Sequence, residues 1–230
     1  MGIIIHGAVY SAMGEKVPFQ LTAICLLITI VSIVLLILFG EFDFQRLKME
    51  GPYQVGYKEF RTSRLDTEVS VFYPISKVHY AKMIKKNNSV WLRHGDKTLR
   101  GIAKASVPYG IENHPPMPFF RYFRKVKMDT VQDGEIDKDF TLRPIIPIVF
   151  CHGLSSNRTM HCGTSKDLAS HGYIVFVLDH KDESSSYYES KDGKGYYYDN
   201  RMDSHDFDYR KKQISIREEE LIELVDEFYS

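Results

Sequence analysis

The chain has 230 residues, and its 30 Lys and Arg balance 30 Asp and Glu, so the formal net charge is zero and nothing argues for nucleic acid or a strongly charged partner. Three cysteines, Cys25, Cys151 and Cys162, are an odd number without close spacing, which excludes a disulfide framework and a zinc signature. The 15 Tyr and 14 Phe promise a packed core rather than disorder.

The first predicted element is apolar. From Leu21 to Phe39 no residue is charged, and as a helix this run spans roughly 29 Å, the thickness of a bilayer's hydrocarbon core. A core helix would show a polar stripe, and Gly40-Glu41-Phe42-Asp43 is a poor signal-peptide cleavage site. The sequence therefore predicts a tail at 1–16, a retained single-pass anchor at 17–40 and a body at 41–230. Lys16 stands alone before the span and Arg46 and Lys48 follow it, which leans towards a cytosolic body. His6 stands where a myristoylation signal needs Ser or Thr. Asn87-Asn88-Ser89 and Asn157-Arg158-Thr159 are glycosylation sequons.

In the body, Gly51 to Pro74 reads as an antiparallel pair of strands. EVSVFYP alternates, with Val69, Val71 and Tyr73 on one face, Ser70 and Phe72 on the other, and Pro74 as its end. Residues 77–104 are charged and partly helical, and 106–143 are irregular, punctuated by Pro108, Pro115, Pro116 and Pro118. IIPIVF and YIVFVL are near-continuous apolar runs, as expected of parallel strands covered on both faces. Between them a helix ends at Gly172, with His171 suiting its negative end, which makes a β-α-β unit. Residues 181–209 read as a long polar loop. A final helix follows, with Ile214, Leu221, Val225 and Phe228 on an apolar face.

The chemistry concentrates where the first apolar run ends, in VFCHGLSSNRT. In an open α/β sheet, ligands sit at the carboxyl ends of the strands. Ester hydrolysis needs backbone N–H groups aimed at the oxyanion of a tetrahedral intermediate, each worth about 3 kcal/mol of barrier. Gly153 lets the main chain turn, and the N–H of Leu154 can then face a substrate. The bland alternative is a plain strand-to-helix turn with His152 as a hydrogen-bonded structural side chain.

GPYQVG, VFYP, VFCHGL with Arg158-Thr159, DLASHGYIVFVLDHKDESSSYY and the REEEL helix resemble, in order and spacing, the platelet-activating factor acetylhydrolases. These are calcium-independent phospholipase-type esterases of the α/β-hydrolase fold. The resemblance covers roughly 51–230, is strongest over 145–188, and is loose over 77–143. It implies an α/β-hydrolase-type, mostly parallel sheet whose C-terminal half is missing, preceded by one transmembrane helix. It gives Leu154 the oxyanion N–H, and His152 and Gly153 the shaping of that loop. Asp179, His180 and Asp182, at the next strand's end, are read as mainly structural. The expected partners are a phospholipid substrate and a membrane, with no metal, no organic cofactor and no nucleic acid.

The family's serine stands in a G-x-S-x-G elbow between a strand and a helix, and its acid and base follow. No such pentapeptide occurs here, and GLSSN lacks the second glycine. Nucleophile, acid and base are therefore expected outside this chain, and the run YIVFVL is expected to have an uncovered edge. FFRYFRKVK, with Phe119, Phe120, Tyr122 and Phe123 among Arg121, Arg124, Lys125 and Lys127, reads either as a phospholipid-surface contact or as a packed peripheral helix. The histidines at 94, 114, 161, 171, 180 and 205 have no metal-ligand spacing.

Overall fold

In the computed structural model the described residues are 19–39, 49–105, 121–138, 140–142, 144–198 and 206–229. The chain divides into two units, Met1–Asp43 and Phe44–Ser230.

In the first unit, helix α1 (Phe19–Phe39) carries the predicted apolar segment. Ser32 is tolerated there because its Oγ donates to the Ile28 carbonyl at 2.8 Å. Ile24, Leu27 and Ile28 are each more than half exposed, at 53, 61 and 59%. Among the described residues, however, no helix is long and apolar enough to cross a membrane. The anchor expected at 17–40 is thus not borne out. The tail 1–16, both ends of the span, and Arg46 and Lys48 lie outside the described residues.

The second unit is built on β1 (Gln54–Arg61), β2 (Glu68–Ile75), β3 (Asn88–Val90), β4 (Lys127–Gln132), β5 (Ile146–Cys151) and β6 (Tyr173–Asp179). They form one sheet in the order β3-β4-β1-β2-β6-β5. The sheet is mixed, not mostly parallel: β3/β4, β1/β2 and β2/β6 are antiparallel, while β1/β4 and β5/β6 are parallel. The reason is connection length. A short turn joins β1 to β2 and forces a hairpin, whereas β5 and β6 are separated by helix α4 (Cys162–Ser170).

β2 is buried along its whole length. Val69, Val71, Tyr73 and Ile75 pack with Ile174, Phe176 and Leu178 on one face, and Phe72 packs with Tyr57, Val175 and Val177 on the other. Pro74 does not end the strand. β6 pairs with β2 only between Glu68 and Phe72, so on that side Pro74 has no ladder partner to disappoint. The uncovered edge is not β6, which β2 and β5 flank, but β5, whose residues are all partly or fully exposed.

Helix α2 (Lys77–Met83) starts at Ser76, whose Oγ accepts from the His79 N–H at 3.1 Å. Helix α3 (Asp96–Ala105) packs so closely that a Cβ on Gly101 would lie 1.9 Å from the Ser186 carbonyl oxygen. α4 ends as expected: Gly172 takes φ +103°, open to glycine without strain, and His171 Nδ1–H donates to the Asp167 carbonyl at 2.9 Å.

The polar stretch after β6 is not only loop. It contains the hairpin β7 (Tyr187–Glu189) and β8 (Gly195–Tyr197), where Tyr188 and Tyr196 stack at 4.7 Å. β4 likewise arises inside the stretch expected to be irregular. Phe119 and Phe120 lie outside the described residues. Arg121–Lys125 is a short 3-10 turn, with Phe123 edge-on to Trp91 at 6.0 Å.

The last helix, α5 (Phe207–Tyr229), buries Gln213, Glu220, Glu223 and Leu224, while Ile214 and Val225 are exposed. The apolar-face expectation is therefore only half met. The reason lies in the glutamates: Glu223 accepts from the Arg64 and Leu65 N–H groups, and Glu227 accepts from that of Ser63 at 2.6 Å. Buried acidic side chains are tolerated because each satisfies backbone donors.

Candidate active site

β5 stops at Cys151 and the chain turns through residues 152–156. The tight point is Ser155, with φ +55°, not Gly153, which is outside the left-handed region. A Cβ on Gly153 would meet nothing within 4 Å, so glycine leaves the space in front of the loop open. The turn is sewn to the segment after β6: the Ser155 N–H donates to the Ser184 carbonyl and the Ser186 N–H to that of Ser156, both at 2.7 Å. Leu154 is 44% exposed, and its N–H donates to no acceptor among the described residues. An oxyanion donor requires an unspent N–H.

His152 lies beneath the loop. Its Nδ1–H donates to the Gly153 carbonyl at 2.8 Å, and its Nε2 accepts from the His180 N–H at 3.3 Å. Burial, reinforced by the neighbouring His180, pushes its pKa down to about 3, so the ring is neutral, as this pattern of one donor and one acceptor needs. Ser185 Oγ lies 3.0 Å from Nε2, but its hydroxyl donates to the His180 carbonyl and the residue is fully buried. The serine–histidine contact is therefore a structural strut.

The three residues at the end of β6 hold three different anchors. Asp179 accepts from the Arg158 N–H at 2.7 Å and pairs with its guanidinium, which also reaches Glu68 at 2.8 Å and Glu59 at 3.0 Å. Burial opposes the Arg158 charge, but Asp179 and Glu68 outweigh it and hold the guanidinium protonated. Burial likewise pushes Glu68 up, and its bonds to His94 and Arg158 overcome that and bring it down to about 2. Asp182 receives Arg217 Nε at 2.7 Å, which together with Ser184 holds its carboxyl below the usual range against burial. His180 Nδ1 bonds Glu220 at 2.7 Å, and the same carboxylate accepts from the Lys181 N–H at 2.9 Å.

His152, Gly153 and Leu154, the residues singled out in the sequence, lie in the turn after β5, and sequence reasoning went no further than this loop. It missed Arg217 and Glu220, which fix the loop from α5. Their signal was available: Gln213, Arg217, Glu220 and Leu224 recur at spacings of three and four and share a helix face. The sequon Asn157-Arg158-Thr159 is buried at all three positions. Asn157 is 3% exposed, and its side-chain oxygen accepts from the Thr159 N–H and hydroxyl, both at 3.0 Å. Among the described residues, no group of three or more His, Cys, Asp or Glu is placed to hold a metal ion.

Comparison with known proteins gives the following matches. The acetylhydrolase of Canis lupus familiaris named "Platelet-activating factor acetylhydrolase" is 51% identical over 39 residues, 17% of this chain and 9% of that protein. The protein of the same name from Cavia porcellus is 35% identical over 82 residues, 32% of this chain and 18% of its own length. The matched stretches are thus less than a fifth of those relatives. A ferulic acid esterase from Streptomyces cinnamoneus superposes with a TM-score of 0.45 at 16% identity, over 68% of this chain and 42% of that one. The family model described as "Platelet-activating factor acetylhydrolase, isoform II" matches residues 40–228, most of the chain, and the chain therefore belongs to the platelet-activating factor acetylhydrolase family.

Proposed function

We propose that this chain is the N-terminal part of a serine esterase that removes the acetyl, short or oxidised acyl group from the second position of a glycerophospholipid. The observation that carries this reading is the unspent Leu154 N–H beyond β5, in a chain of this family. The family's chemistry needs a nucleophile activated by a base, and no G-x-S-x-G elbow occurs in these 230 residues. In this reading the serine, acid and base belong to further sequence, and the open edge of β5 is where its strands would pair. The exposed apolar side chains of α1 support retention at a membrane, and Arg46 and Lys48 after it favour a body on the cytosolic side.

The test is turnover of a short-chain phospholipid by the complete native protein. It should be lost after a serine-directed fluorophosphonate. Leu154→Pro, which deletes the N–H, should lower kcat by about a hundredfold. Absence of turnover, or turnover indifferent to both, would sink the proposal. The missing elbow favours a second reading, a membrane-anchored lipid-binding pseudoenzyme. That reading expects residues 41–230 to be soluble and protease-resistant, and to bind phospholipid vesicles without turnover.

A further inference from the structure

Helix α5 turns Gln213, Glu220, Glu223 and Leu224 to the body and leaves its other face bare. On that face Phe207, Ile214, Ile222, Val225 and Tyr229 are between 42 and 76% exposed. They follow one another at spacings of seven, eight, three and four, so they share one stripe of the helix. At about 1.5 Å per residue the stripe runs about 33 Å. Apolar side chains aligned over that length mark a contact surface, whereas singly scattered ones would need no explanation.

Symmetry and charge along α5 say what fits the stripe. Phe207 and Tyr229 are equally far in sequence from Glu218, and so are Ile214 and Ile222. An antiparallel second copy, related by a two-fold axis at Glu218, therefore sets Phe207 against the partner's Tyr229 and Ile214 against the partner's Ile222. Past the first turn, where Asp208 suits the helix N-terminus, the exposed charges divide by half. Lys211 and Lys212 come first, and Glu218, Glu219 and Asp226 follow. A parallel pair would stack like charge on like. The antiparallel pair brings both lysines of each copy to the acidic half of the other.

We propose that α5 docks a second copy of this chain through an antiparallel helix pair centred on Glu218. The proposal stands on the face of α5 and does not depend on the phospholipid reading. An anionic lipid surface fits the stripe less well, because Glu218, Glu219 and Asp226 would be repelled by its headgroups. One helix-wide strip is small beside the roughly 1,600 Å² of a standard interface. The pair is therefore reversible, with a Kd on the order of 10 µM. Its weak point is the axis, where the two Glu218 carboxylates approach each other and oppose association.

The experiment is sedimentation velocity of the whole 230-residue chain in a mild non-ionic detergent, from about 1 to about 100 µM. Monomer should pass to dimer across that range. Ile214→Asp and Ile222→Lys change exposed positions and leave the fold intact, and each should weaken the dimer at least about tenfold. Glu218→Gln should tighten it at least about twofold. In a Cys151→Ser background, Glu218→Cys should form a disulfide-linked dimer on mild oxidation. Ser215→Cys should not, since it lies roughly 9 Å along the helix from its own copy. A chain that stays monomeric at the highest concentration overturns the proposal. So does a dimer indifferent to both isoleucine changes, which would place the contact at the β5 edge or on α1. A monomer whose binding to phosphatidylcholine vesicles is lost in Ile222→Lys would assign the stripe to a lipid surface and equally overturn it.

Discussion

Arg217 Nη1 donates to the His152 carbonyl oxygen at 3.1 Å, so a side chain of the last helix holds the backbone of the loop that presents Leu154. The same guanidinium grips Asp182 through Nε and the Ser184 hydroxyl through Nη2, each at 2.7 Å. One planar fork thus ties α5 to both segments that frame the site.

Arg217→Ala should leave the buried Asp182 carboxylate without its partner and cost about 3 kcal/mol in urea unfolding. Arg217→Lys should recover only part of this, because a single ammonium cannot reproduce three directed bonds. Equal stability of the lysine and arginine forms would refute the fork's role.

Arg158 faces a comparable test from deeper in the sheet. It is 4% exposed and balances Asp179, Glu68 and Glu59. Arg158→Met should destabilise by about 3–5 kcal/mol, read by chemical denaturation. Adding Asp179→Asn should return a measurable part of that loss, since one stranded charge is then gone.

The two buried histidines set opposite pH limbs. His152 has a folded pKa near 3 against an ordinary 6.5, so below 6.5 the unfolded chain binds a proton the folded one refuses. Stability is then lost as pH falls from 6.5 towards 3. His180 has a folded pKa near 9 against the same 6.5, so its contribution is full below 6.5 and is lost as pH rises towards 9. The melting temperature should peak near pH 6.5 and fall on both sides by several degrees. His180→Gln should flatten the alkaline limb alone. Glu68, held near 2 against 4.5, should steepen the fall below pH 4.5.

Helix propensity and packing make opposite forecasts at Gly101, inside α3. Propensity favours alanine by about 1 kcal/mol. The Ser186 carbonyl oxygen, 1.9 Å from where the Cβ would be, forbids it without backbone movement. Gly101→Ala should therefore destabilise, by about 2 kcal/mol, in a thermal or urea melt. A gain in stability would show that α3 does not sit against the Ser186 carbonyl.

Parts of this structure were legible in the sequence because their apolar runs are plain. β5 and β6 are near-continuous apolar stretches, although only β6 is buried, and the Gly172 cap and the turn into Leu154 follow from their ends. β4 was not legible, since Lys127, Asp129 and Gln132 interrupt the apolar pattern and the strand is recognised only by its pairing with β1 and β3. The β7–β8 hairpin carried a readable signal in its tyrosines flanking Asp192-Gly193. The polar frame of the site was hidden for a different reason. Glu220, Glu223 and Arg217 look like a solvated charge run, and although the helical spacing puts Arg217 and Glu220 on one face, it does not say that each is consumed by a loop donor or acceptor.

The contact between Arg217 and His152 also has a consequence in time. The two residues are 65 positions apart. At about 5–20 residues per second, several seconds of translation separate them. During that interval the loop has emerged, but its clamp has not been made. The nascent site therefore waits, unlocked, for a helix that emerges later.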